Sequence, residues 1–181
     1  MMKVKGIAAV ALALVFMLAF SGCVNHVGPT ATKTSTAAGA KFENIDFDTL
    51  DIDGDALVSH MNEKLKFDDK LYPMNTDIAE ALFKVTGLLE RLSVVGSTGS
   101  TAECIVFLKA ANNGDAEAAA GKLRTYCADM SRVYSSYNVV ESEKLSNAFI
   151  MKNGKYVIMC VSPDSKLSES VYKEYVLSVA K

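Results

Sequence analysis

The chain has little of what most chemistry requires. It contains two histidines, and no Cys/His pair stands at a spacing that would hold zinc. No glycine-rich loop opens a helix; Gly96 to Gly99 falls between two expected strands, which excludes a phosphate cradle of that kind. The balance of charge is slightly acidic, with a formal net charge of −2. That argues against a nucleic-acid partner and against electrostatic adsorption to anionic lipid. Beyond the first 23 residues no apolar run approaches the roughly 20 residues of a membrane-spanning helix. A Cys–His hydrolase would need a reactive thiolate near His60, since His26 lies outside any patterned segment. Cys104, Cys127 and Cys160 all sit in apolar runs, where burial blunts a thiol. No catalytic residue and no cofactor is expected.

What is present begins at the N-terminus. Lys3 and Lys5 form a short basic segment, and Ala8 to Phe20 form an apolar stretch too short to span a bilayer. Phe20-Ser21-Gly22-Cys23 follows, and it resembles the bacterial lipobox, with Phe20 where Leu is usual. The expectation is a signal peptide over residues 1–22, removed by cleavage. Cys23 then becomes the diacylglyceryl-modified N-terminus, anchored at the extracytoplasmic face of the cell membrane. Two acyl chains hold a protein far more firmly than one, at about 0.8 kcal/mol per buried CH₂. Three cysteines would remain, so they cannot all pair within one chain. At most one disulfide is open to them outside the cytoplasm, and the sequence does not choose its members.

Residues 23–45 read as the lipidated Cys23 and a Thr/Ala/Ser-rich tether, with a reach of roughly 25 Å. Residues 46–181 read as a single α+β domain. A first helix is expected from Asp55 to Lys66, capped by Asp55, with Leu57, Val58, Met61 and Leu65 on its apolar face. A second is expected from Asp77 to Phe83, with Asp77 and Glu80 as a capping box and Ile78 and Leu82 inward. Arg91–Val95 and Ala102–Ala110 are strand candidates, the latter a consecutive apolar run that suits a central strand. Asn112-Asn113-Gly114-Asp115 caps a long helix to Tyr134, striped by Ala116, Ala120, Leu123, Cys127, Met130 and Tyr134. Ser135 to Ser142 reads as turns. Asn147–Met151 and Tyr156–Ser162 form a hairpin, with Asn153-Gly154 suited to a type I′ turn. After Pro163, a last helix capped by Asp164 or Ser165 is expected to bury Leu167, Val171, Tyr175 and Val179. The order ααββαββα predicts a four-stranded, mainly antiparallel sheet with its helices largely packed on one face.

Three segments carry a family resemblance: Ala102-Glu103-Cys104-Ile105-Val106-Phe107-Leu108-Lys109, Tyr137 after the long helix, and Asn153-Gly154-Lys155-Tyr156-Val157-Ile158. Together they resemble the bacterial lipoprotein family of the domain of unknown function 4358, over about residues 52–180. Cys104 stands where that family commonly has a second acidic residue. The resemblance implies a secreted or lipid-anchored protein and brings no activity with it.

Asp51, Asp53 and Asp55, followed by Ser59, resemble the start of a calcium loop. Ala56 stands where Gly would make the sharp turn, and Asn62 where a bidentate Glu would close the site. The plainer reading is an acidic loop that caps the first helix. Tyr126, Tyr134, Tyr137, Tyr172 and Tyr175 are candidates to line a ligand groove, or else cover the edge of a core. The function expected is a non-enzymatic binding module at the cell envelope, with a protein or cell-wall partner. The alternatives are a small-ligand or calcium-binding lipoprotein and, further off, an unrecognised hydrolase. An exposed apolar cluster would favour the first, and a deep pocket with converging polar groups the others.

Overall fold

A computed structural model describes residues 41–180; Cys23, the signal and most of the tether lie outside them. In chain order the described elements are α1 (Gly54–Lys64), β1 (Tyr72–Pro73), α2 (Thr76–Phe83), β2 (Leu89–Gly96) and β3 (Cys104–Ala110). Then come α3 (Asn113–Tyr134), α4 (Val139–Ser146), β4 (Phe149–Asn153), β5 (Tyr156–Val161) and α5 (Ser165–Val179). The fold is α+β, as expected. The sheet has five strands rather than four, ordered β1-β2-β3-β5-β4, and every neighbouring pair is antiparallel. The added strand β1 is two residues long, too short to show a period of two.

The continuous apolar run of β3 decides the layering. Val106 and Leu108 point into one core, with Val157, Met159, Leu123, Cys127 and Leu145. Ile105 and Phe107 point into another, with Ile158, Cys160, Leu57, Met61 and Tyr172. Helices therefore pack on the sheet from both sides, α2, α3 and α4 on one and α1 and α5 on the other, where one-sided packing was expected. An antiparallel strand that is apolar on both faces needs cover on both. Each fully buried Leu, Ile or Phe contributes about 1.5–3 kcal/mol. Phe42, ahead of Asp46, already belongs to the second core and meets Phe47 and Tyr172 edge-on.

Helix boundaries follow their caps. Asp53, not Asp55, caps α1, accepting from the N–H groups of Asp55 and Ala56. Gly54 is required just after it: a Cβ there would lie 2.7 Å from Phe107 Cδ1 and 2.8 Å from Ser93 Oγ. α1 thus comes down on the sheet at this glycine. Asn75 caps α2 in place of the Asp77 box. The change of phase turns Ala79 and Phe83 inward and leaves Ile78 and Leu82 exposed, the reverse of the expectation. In α5, capped by Asp164, the buried residues are Ser168, Val171, Tyr172 and Val176, while Leu167 and Val179 are exposed.

The β4–β5 hairpin forms where expected with a different turn. Asn153 pairs with Tyr156, so Gly154-Lys155 is the two-residue loop. Positive φ falls on Gly154 (54°) and not on Asn153 or Lys155. That is the II′ pattern, glycine first, rather than I′. The stretch read as turns from Ser135 contains a helix, α4, capped by Asn138 through the N–H of Glu141.

Candidate functional site at the α3–α4 corner

The three aspartates of the acidic loop turn to three different partners. Asp53 is spent on the α1 cap. Asp55 accepts from the hydroxyl of Ser93 on β2. Asp51 is exposed and pairs at 3.5 Å with Lys109 at the end of β3. Among the described residues no group of three or more His, Cys, Asp or Glu side chains is placed to hold a metal ion.

Cys104, Cys127 and Cys160 are free and buried. Burial pushes the Cys127 and Cys160 thiols up to about 11, and hydroxyls of Ser168 and Ser162 partly offset it at Cys160. Cys104 is raised well above the ordinary range, again by burial first and then by its thiol neighbours. Such thiols carry little thiolate at neutral pH. His60 lies against Tyr175, ring centroids 5.3 Å apart, and its Nε2 is buried with no hydrogen-bond partner among the described residues.

The most polar interior feature is a node that no local motif announces. Lys144 Nζ of α4 donates to Asp68 Oδ2 at 2.6 Å, Glu141 Oε1 at 2.8 Å and Glu103 Oε1 at 3.0 Å. The side chain of Lys144 is 5% exposed and that of Glu103 is fully buried. Glu103 also accepts from the N–H groups of Asp68 and Asp69 and from the Thr101 hydroxyl. Glu141 Oε2 accepts from the N–H of Ala102 at 2.7 Å. Burial works against the charged amine, but its hydrogen bonds to the accepting carboxylates of Asp68, Glu141 and Glu103 outweigh it and hold Lys144 above its ordinary value. Buried charges persist only when paired and hydrogen-bonded in this way. Beside the node, Ser97 donates to Asp69 Oδ2, and with the N–H of Lys70 it holds that carboxyl below its ordinary value.

The node ties α4 to the start of β3 and to the loop after α1. Above it stands the corner joining α3 to α4. Val133, Tyr137, Val139 and Val140 are exposed there by 52%, 67%, 61% and 60%. Tyr137 leans on Tyr134 with ring centroids 5.2 Å apart. The corner is cross-braced: Ser142 Oγ donates to the Ser131 carbonyl, and Ser131 Oγ lies 2.8 Å from Ser146 Oγ. Four bulky apolar side chains are thus held in water on a fixed backbone. The remaining candidate tyrosines do not converge with them. Tyr126 packs edge-on against Phe83, while Tyr172 and Tyr175 lie on the opposite side of the sheet.

Between α3, α4 and β4 runs an open groove of about 580 Å³, with Cys127, Leu145 and Ile150 at its base and Arg124 and Ser131 on its rim. Among the described residues no helix is long and apolar enough to cross a membrane. Neither node nor corner is legible in the sequence, because the turn reading of Ser135 to Ser142 covers the first half of α4 and nothing is assigned to the second; Glu141, Lys144 and Leu145 at helical spacing are the available signal. Comparison of the chain with protein-family models, with curated proteins and with solved structures found no match in any of the three.

Proposed function

We propose that this chain is a non-enzymatic binding module, held at the extracytoplasmic face of the cell membrane by a lipidated Cys23, whose α3–α4 corner docks a protein partner of the cell envelope. The observation that carries the reading is the exposure of Val133, Tyr137, Val139 and Val140 together on one braced corner. Bulky apolar side chains left in water at one corner disfavour the free protein and suit an interaction surface. An exposed tyrosine among them suits such a role, since Tyr is enriched at interfaces.

Placement adds support. The chain enters the described body beside the β4–β5 turn, where a Cβ on Gly154 would meet Phe47 at 3.0 Å and the Tyr156 hydroxyl donates to the Leu50 carbonyl. The corner lies at the other end of the strands, beside Ala102 and Glu103. α3 alone spans about 33 Å at 1.5 Å per residue. The described body therefore begins at the end of the strands away from the corner. The N-terminal lipobox and the resemblance to the lipoprotein family of domain of unknown function 4358 support the location.

The test is affinity purification of the full chain from gently crosslinked native membranes, run beside Cys23→Ala and Tyr137→Asp/Val140→Asp. One partner recovered with the parent chain and lost with either variant is the expected result. Equal recovery with the corner variant would overturn the docking surface, and equal recovery with Cys23→Ala would overturn the anchor.

A further inference from the structure

We infer that the free edge of β4, with the groove beside it, is a second binding site: it takes an extended peptide segment of another protein, added as a sixth strand, whose alternate side chains are apolar and acidic. This site borders the corner at Ser131 and Ser146 but uses none of the corner's four exposed apolar side chains.

The backbone specifies the form of the ligand. Among the described residues β4 is the last strand of the sheet and pairs only with β5. Asn153↔Tyr156 closes a two-residue loop, so Asn153, Met151 and Phe149 exchange the ladder bonds. The N–H and C=O groups of Ile150 and Lys152 are therefore directed outward, and no described residue takes them. An unpaired strand edge is a template for an incoming strand, with main-chain bonds supplying affinity and alternate side chains specificity.

The groove specifies the side chains. Ala148 and Ile150 face the Cys127 and Leu145 side of the sheet, which is the side on which the groove opens. A strand laid along β4 places every second side chain over this space, and its base of Cys127, Leu145 and Ile150 suits an apolar group. Ala128 on the α3 flank is small enough to leave the space open. At the rim Arg124 is 53% exposed, and its ion pair with Glu117 is long, at 3.8 Å. Lys152 follows Ile150 by two residues and so lies on the same face of β4. Two cations beside one groove favour an acidic side chain at the next inward position.

The test uses the full chain, labelled with ¹⁵N, and two blocked heptapeptides whose every second residue, the set that shares one face of a strand, reads Val, Glu, Val, Glu (the Val/Glu peptide) or Val, Lys, Val, Lys (the Val/Lys peptide), with Thr between. Saturating Val/Glu peptide is expected to slow amide exchange at Ile150 and Lys152 by about tenfold or more while leaving Phe149 and Met151, already in the ladder, unchanged. The Val/Lys peptide is expected to do nothing, and Arg124→Glu to reverse the preference. Ala128→Phe, which fills the groove, is expected to abolish binding. Lys152→Pro, which removes one outward N–H at an edge position that tolerates proline, checks the result by a second route. Unchanged exchange at Ile150 and Lys152, an equal response to both peptides, or slow exchange in the free chain at any concentration would overturn the proposal. The last result would mean that a segment of the chain itself or a second copy holds the edge. Recovery of an envelope partner through the corner is unaffected by any of these outcomes.

Discussion

Two groups of carboxylates in this molecule behave in opposite ways. Asp51, Asp53 and Asp55 are two residues apart in the chain, yet each leaves for a separate partner: Lys109, the α1 cap and Ser93. Asp68, Glu103 and Glu141 come from three distant segments, yet all meet at Lys144. Proximity in sequence produced a helix start, and proximity in space produced a charged anchor. The acidic loop is half in water, where each carboxylate can be satisfied alone. The Glu103 and Glu141 carboxylates are buried, where they need a cation and every available N–H. The first group seats α1 on the sheet. The second fixes α4, and through it the exposed corner.

Breaking the node should cost most. Lys144→Met leaves Glu103 and Glu141 buried without a cation, and urea denaturation should show a loss of about 3–5 kcal/mol. Replacing Glu103, Glu141 and Lys144 together by Gln, Gln and Met should recover part of that loss, which separates an unpaired charge from lost packing. In the acidic loop the largest effect belongs to a residue without charge. Gly54→Ala presses a methyl group against Phe107, and the same measurement should show about 1–3 kcal/mol, the usual range for overpacking. Asp53→Ala removes the α1 cap and should cost about 1 kcal/mol.

Smaller effects sharpen the contrast. Asp69, beside the node, is depressed below its ordinary 3.8 by Ser97 and Lys70. A carboxyl lowered in the folded state stabilises above its unfolded value, and that stabilisation is lost as pH falls through its folded value. Acid titration of stability below pH 3.8 should therefore be shallower in Asp69→Asn than in the parent chain. Calcium should have the least effect, because Asp53 is engaged by backbone N–H groups. A melting temperature unchanged at millimolar calcium is expected, and an upward shift abolished by Asp51→Asn would reinstate the loop as a metal site.

How much was legible follows the same physics. The apolar runs of β3 and β5 declared central strands, and the stripe of α3 declared a helix, because hydrophobic period is a local signal. Burial of both faces of Ile105-Val106-Phe107-Leu108 also held the argument for two-sided helix packing, which the order of elements alone did not make. β1 had no period to read. α2 was misphased because Asp77 and Asn75 compete as caps, and the choice is settled by where Phe83 meets Tyr126. α4 was missed because Val139 and Val140 face water, so its pattern does not look amphipathic. The residues that hide α4 from pattern reading are the ones proposed to bind.

The most direct test of that proposal places a photoreactive phenylalanine analogue at Tyr137 and, as a control, at Lys122 on the exposed flank of α3, in the full chain in its native membranes. The account predicts a discrete crosslinked product of higher mass from position 137 and none from position 122. The same product from both positions, or none from position 137 while the chain is folded and anchored, would contradict it.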